Sequence, residues 1–233
     1  MTDWLAPAEW QALALSLKVA LVATLAALPP GIALAWWLAR RRFVGKPLLE
    51  TALMLPMILP PVVTGYLLLQ WFGNASPVGR LLTALGTPLA FRWSGAALAA
   101  LVMGLPLLVV TLRTAFEQVD QRLEQAAATL GASPWRVFIG VSLPLARRGL
   151  IAGAALTFAR AFGEFGATIT FVSAIPGQSR TLPVAIYELI NQPDGEAGAL
   201  RLVWVSLAVG LLATLGASLL LARGARARSE PAA

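Results

Sequence analysis

Apolar residues in this chain come in long blocks, separated by short stretches rich in arginine, glycine and proline. Five blocks, at roughly 12–39, 48–73, 94–116, 148–173 and 202–222, are long enough for helices that cross a hydrocarbon layer about 30 Å thick. The first block exceeds that need, so its start is expected to tilt or to lie along the outer interface. A shorter piece, 182–190, cannot cross and reads as a half-helix or a re-entrant segment, which makes a sixth helical element possible. Prolines recur in or beside the blocks: Pro29 and Pro30, Pro56, Pro60 and Pro61, and Pro106. Each removes a backbone donor and bends its helix, and the cluster in the second block suggests a break lining a pathway. No repeat or linker divides the chain, so residues 1–233 read as one all-α, polytopic membrane domain of about five transmembrane helices.

Orientation follows from the cations between blocks. Arg40, Arg41, Arg42 and Lys46, then Arg113, Arg122, Arg136, Arg147 and Arg148, then Arg223, Arg226 and Arg228 fall on one side, against Arg80, Arg92, Arg180 and Arg201 on the other. The richer side is expected to be cytoplasmic, with the N-terminus outside and the C-terminus inside. Trp36 and Trp37 would anchor the inner interface, and Trp71, Trp93 and Trp204 the outer one. Trp135 departs from this, since it lies within a cytoplasmic loop. Asp3 and Glu9, with no basic region ahead of the apolar block, mark the first block as a retained span rather than a cleavable signal.

Composition removes several function classes. Of 233 residues, 58% are hydrophobic and 12% charged, and the mean hydropathy is +0.75, which leaves too little polar surface for a soluble helical protein. With no cysteine and no histidine, disulfides, thiolate metal sites and histidine catalysis are excluded, and no metal site is expected. The net charge of +7 sits at block ends, as membrane topology requires, and not on a nucleic-acid-binding face. Gly45-Lys46 is followed by Pro47, so no phosphate-binding Gly-x-x-x-x-Gly-Lys-Ser/Thr loop is present.

The longest polar connection, about 117–147, reads as helix, sharp turn, helix. Gly131 supplies a left-handed cap, Ser133 an N-cap, and Pro134 the first helical position. Ala126 and Ala127 give a smooth surface before the turn; Trp135, Arg136 and Phe138 give bulky contacts after it. Physical reasoning alone leaves two readings, an amphipathic helix on the inner leaflet or a docking surface for another protein. In the fourth block, Arg160 and Glu164 are four residues apart at membrane depth, where ionisable groups are costly and turn inward. They read either as a buried pair fixing helix packing or as a gate whose arginine meets an anion.

The loop resembles the coupling motif of bacterial ABC-importer permeases: Glu-Ala-Ala, three residues, Gly, nine residues, Ile, one residue, Leu-Pro. Ala126, Ala127, Gly131, Leu143 and Pro144 stand in register, with Gln125 in place of the Glu and Val141 in place of the Ile. Glu124 is adjacent to the changed position. Leu59-Pro-Pro-Val-Val-Thr-Gly-Tyr66, Arg160–Thr168 and Ile175-Pro-Gly-Gln-Ser-Arg-Thr-Leu-Pro-Val-Ala-Ile-Tyr187 resemble the molybdate and sulfate branch of that family over nearly the whole chain. The resemblance implies a multi-pass permease of the bacterial inner membrane, a homodimer with its pore on the two-fold axis. It implies two ABC ATPase subunits below, a periplasmic or extracellular substrate-binding protein above, membrane lipid around, and no nucleic acid. This chain would bind no cofactor, since ATP and Mg would sit on the ATPase, and it would not itself be an enzyme. Molybdate or tungstate is the expected oxyanion and sulfate or thiosulfate the alternative. Glu124, Gln125, Ala126, Ala127, Gly131, Trp135, Arg136 and Phe138 would couple to the ATPase; Thr64, Arg160, Glu164, Thr168 and Thr170 would line the pathway. An ion-coupled secondary transporter would need repeats and further acidic residues, and an intramembrane enzyme would need a nucleophile, base or metal ligands that the blocks lack.

Overall fold

A computed structural model describes the backbone of residues 4–226 and the side chains to residue 219. Asp3 and Arg228 lie outside the described residues, as do the side chains of Arg223 and Arg226. The helices are α1 Pro7–Arg40, α2 Lys46–Ile58, α3 Pro61–Phe72, α4 Pro77–Ala84, α5 Trp93–Glu117, α6 Gln121–Thr129, α7 Pro134–Val137, α8 Leu143–Leu145, α9 Arg147–Phe162, α10 Gly166–Val172, α11 Leu182–Ile190 and α12 Glu196–Arg226. A π-helical turn, Phe138–Ser142, joins α7 to α8. Among the described residues there is no β-strand.

By length and composition, α1, α5 and the Glu196–Leu219 part of α12 can each cross a membrane as single helices. Two bent pairs raise the count to five: α2 with α3, at 107°, and Pro134–Leu145 with α9, at 72°. That upper total equals the five blocks of the sequence pattern, but the second pair joins Pro134–Leu145, and not residues 163–173, to α9, and two of the blocks are not continuous helices. The second block breaks at Leu59 and Pro60, where Pro60 and Pro61 have no N–H to extend the ladder of α2. The fourth block, expected as one helix over 148–173, breaks at Gly163–Phe165 and resumes as α10. Glu164 replaces the lost helical bonding there, since its Oε1 accepts the N–H of Ala167 at 2.8 Å. Pro29 and Pro30, by contrast, sit inside α1 without ending it.

The core is the trio α1, α5 and α9, with α10 laid between α3 and α5. Alanines make this possible. Ala12, Ala20, Ala23, Ala27 and Ala35 of α1 and Ala96, Ala97, Ala99 and Ala100 of α5 are all buried, so the two backbones approach closely, as small residues allow in membranes. A second cluster, built on Leu38, Leu108, Leu112, Phe116 and Phe138, fills the Arg40 end of the bundle. The 182–190 piece is α11, packed on α1 and α12, and the Leu182 N–H donates to Ser16 Oγ at 2.6 Å. At that same end Arg201 of α12 donates to Glu9 of α1 at 2.8 Å. In contrast, α2 buries no residue, and only 11% of the crossing part of α12 is buried.

Candidate functional site

Two places on this frame hold the residues singled out from sequence: the elbow after α5, and the paired breaks between α2–α3 and α9–α10.

The elbow forms by local rules. Asp120 caps α6, its carboxylate accepting the Arg122 N–H at 2.9 Å. The helix ends in a Schellman motif: Ala132 N–H donates to Ala127 C=O at 3.1 Å and Gly131 N–H to Ala128 C=O at 3.0 Å. That motif needs a left-handed residue, and Gly131 supplies it at φ +84°. Ser133 then caps α7, with Pro134 at its first position. Pro144 explains the π turn. A proline ring collides with the carbonyl four residues back and has no N–H to offer it, so the helix widens across Phe138–Ser142.

The coupling candidates divide by exposure. Trp135, 67% exposed, stands out with Gln125, Ala126, Gly131 and Arg136, as does their neighbour Leu130 at 89%, while Ala127 is half-buried. Phe138 is buried, against the expectation of a surface contact. Its ring sits edge-on to Trp36 at 5.2 Å, is stacked under Trp135 at 5.5 Å, and meets Phe116 at 6.2 Å. Glu124 also points into the fold. Arg40 grips it with two donors, Nε to Oε2 and Nη2 to Oε1, both at 2.8 Å, and Ser142 Oγ donates to Oε1 at 2.7 Å. A nearly wholly apolar cavity of about 750 Å³ lies beside this junction, between Leu28, Ile32, Trp36 and Trp37 of α1 and Trp135 and Phe138 of the elbow.

The two breaks abut. A Cβ on Gly166 would stand 2.7 Å from Pro61 Cβ, and one on Gly65 would stand 2.5 Å from the Ala167 carbonyl oxygen. Thr64 and Thr168 are buried on the two facing segments, and Thr64 Oγ1 has no hydrogen-bond partner among the described residues. Thr170 is half-buried, and its hydroxyl donates to Gly166 C=O at 2.8 Å. Arg160 Nη1 lies 2.5 Å from Glu164 Oε2, so the pair inferred from spacing forms, with Glu164 2% exposed. Glu164 thereby serves two neighbours, the guanidinium and the first turn of α10, and this geometry matches the packing reading of the pair. Arg40 and Ser142 went unnoticed in the sequence as partners of Glu124. Nothing local marks a contact across 84 residues.

The model of the family described as binding-protein-dependent transport system inner membrane component matches residues 31–226. The chain belongs to that family. Among relatives of this permease-family chain, the molybdenum transport system permease protein ModB of Escherichia coli strain K12 is 55% identical over 208 residues, covering 89% of this chain and 91% of that protein. The ModB of Haemophilus influenzae is 46% identical over the same shares. Of solved structures, the inward-facing MetNI methionine ABC transporter aligns with a TM-score of 0.67 at 16% identity, covering 92% of this chain and 93% of that one, which shows a shared fold. This family member is therefore the membrane component of a transport system, as the Ala126–Pro144 motif implied.

Proposed function

We propose that this chain is the permease subunit of a molybdenum-oxyanion importer of the bacterial inner membrane, driven by separate ATPase subunits and fed by a binding protein. The 55% identity to a molybdenum transport permease over 89% of the chain carries this reading. The motif residues support it because their fold leaves a smooth, exposed patch: Gln125, Ala126, Gly131, Trp135 and Arg136 face outward, with Ala127 at its margin. An ATPase docks there, on the cytoplasmic side, with the N-terminus outside. A second copy covers exposed apolar side chains of α2 and α3, including Met57, Ile58, Val62, Val63 and Tyr66, and the pore lies between the copies. The abutting breaks provide the part that rearranges in alternating access. The pair Arg160–Glu164, with Thr64, Thr168 and Thr170, borders it. ATP hydrolysis resides on the partner.

The test is uptake of molybdate, tungstate and sulfate into vesicles with ATPase and binding protein supplied. Native chain should give ATP-dependent molybdate uptake that tungstate inhibits and sulfate does not. Gly131→Asp forces a side chain into the left-handed position, at about 1–2 kcal/mol, and should abolish uptake and binding-protein-stimulated hydrolysis together. Uptake that follows an ion gradient without ATP would refute the reading.

A further inference from the structure

Glu124 stands next to the docking patch, yet its carboxylate is occupied inside the chain. Three elements meet on it. Arg40 is the last residue of α1, Ser142 closes the π turn, and Glu124 lies in the first turn of α6. Arg40 also reaches the Val119 carbonyl at 3.4 Å, just before α6 begins. The ion pair is sheltered, with side-chain exposures of 11% and 14%, and both of its N–H···O contacts are short and charge-assisted. Apolar contacts of Val119, Phe138 and Leu143 also hold the elbow to the bundle, but among the described residues this ion pair is the charged contact that joins α6 directly to α1. Residues 41–45 and α2 hold no part of the elbow: Leu49, Leu53 and Glu50 of α2 lie instead against the core cluster and Arg113 of α5. The π turn belongs to the same device. Widening at Pro144 sets the position from which buried Ser142 donates to Glu124.

We propose that Arg40, Glu124 and Ser142 are positioning residues. They form a latch that makes the elbow move as one body with α1, so that force applied at the docking patch reaches the bundle instead of bending the loop. This rests on the reading of the elbow as the ATPase-docking surface. Cutting the latch should therefore leave ATP turnover running while transport falls away.

The experiment uses the full transporter in liposomes, with molybdate as probe. It compares the native chain with Glu124→Gln, Ser142→Ala and the charge exchange Arg40→Glu with Glu124→Arg. Molybdate imported per ATP hydrolysed is measured for each, together with amide hydrogen exchange over residues 121–131. For Glu124→Gln the import ratio should fall about tenfold, the scale of a lost charged hydrogen bond, while hydrolysis stays within about twofold. Exchange in α6 should quicken, and the charge exchange should restore both readouts. Ser142→Ala, which deletes one hydroxyl and keeps the ion pair, should show a smaller change in the same direction and decides the matter if Glu124→Gln does not assemble. Faster exchange with an unchanged import ratio would reduce the contact to local packing and overturn the proposal, as would unchanged exchange. If Gly131→Asp leaves transport intact, the docking reading fails instead, and the exchange data still report whether the latch exists.

Discussion

Gly65→Ala isolates the contact between the two broken spans. In an open helix this substitution stabilises by at most about 1 kcal/mol, because alanine restricts the unfolded chain more than glycine does. At position 65 the new methyl carbon would lie 2.5 Å from the Ala167 carbonyl oxygen, 2.9 Å from Ala167 Cα and 2.9 Å from Thr170 Cβ. Two of those three atoms are backbone, so no rotamer change relieves the overlap, and α3 and α10 must separate. Overpacking of this kind costs about 1–3 kcal/mol. With the full propensity gain set against it, the net loss should be up to about 2 kcal/mol. Gly210→Ala and Gly216→Ala in α12 are controls, since a Cβ at either meets nothing within 4 Å. The assay is unfolding of the purified chain in mixed micelles by increasing detergent denaturant, followed by tryptophan fluorescence. Gly65→Ala should unfold at lower denaturant with the controls unchanged or slightly stabilised. If Gly65→Ala matched or exceeded the native chain while the controls behaved as expected, the close approach of α3 to α10 would be refuted.

Glu164→Ala strands the half-buried Arg160 and removes the acceptor at the start of α10, so the same assay should show a loss of about 3 kcal/mol, the lower end for a broken buried pair. Glu164→Gln, which retains an acceptor for the Ala167 N–H, should lose less. Because the chain has no native cysteine, orientation can be read from single introduced thiols. Leu130→Cys should react with an impermeant maleimide only from the cytoplasmic side, and Asn74→Cys only from the opposite side; the reverse pattern would overturn the topology.

Local patterns made much of this molecule legible. Block length located α1, α5 and α12 as crossing helices, and the Gly131, Ser133 and Pro134 series gave the elbow, because caps and left-handed positions depend on a few adjacent residues. The four-residue spacing of Arg160 and Glu164 gave their contact for the same reason. The break at Gly163–Phe165 was hidden, since hydropathy does not register a helix interruption whose polar groups are satisfied by one buried carboxylate. The burial of Phe138 is not legible locally, because aromatics near a turn look alike in sequence and its cover comes from Trp36 and Phe116 on other helices. Glu124 turns inward because Arg40, which in sequence carries only a topology signal, lies beside it in the fold.

The order of the core helices along the chain also bears on how the protein is made. α1 is synthesised first and its alanine face fits α5, but α9 begins at Arg147, roughly 100 residues after α1 ends at Arg40. At ribosomal rates of about 5–20 residues per second, α1 waits about 5–20 s for its last core partner. During that interval its small-residue face, the unburied α2 and the open end of the elbow are held by lipid or by the insertion machinery. The nascent chain should therefore remain beside its insertase until α9 has emerged, while the Arg40–Glu124 contact, whose residues both precede α9, can already tie the start of the elbow to α1.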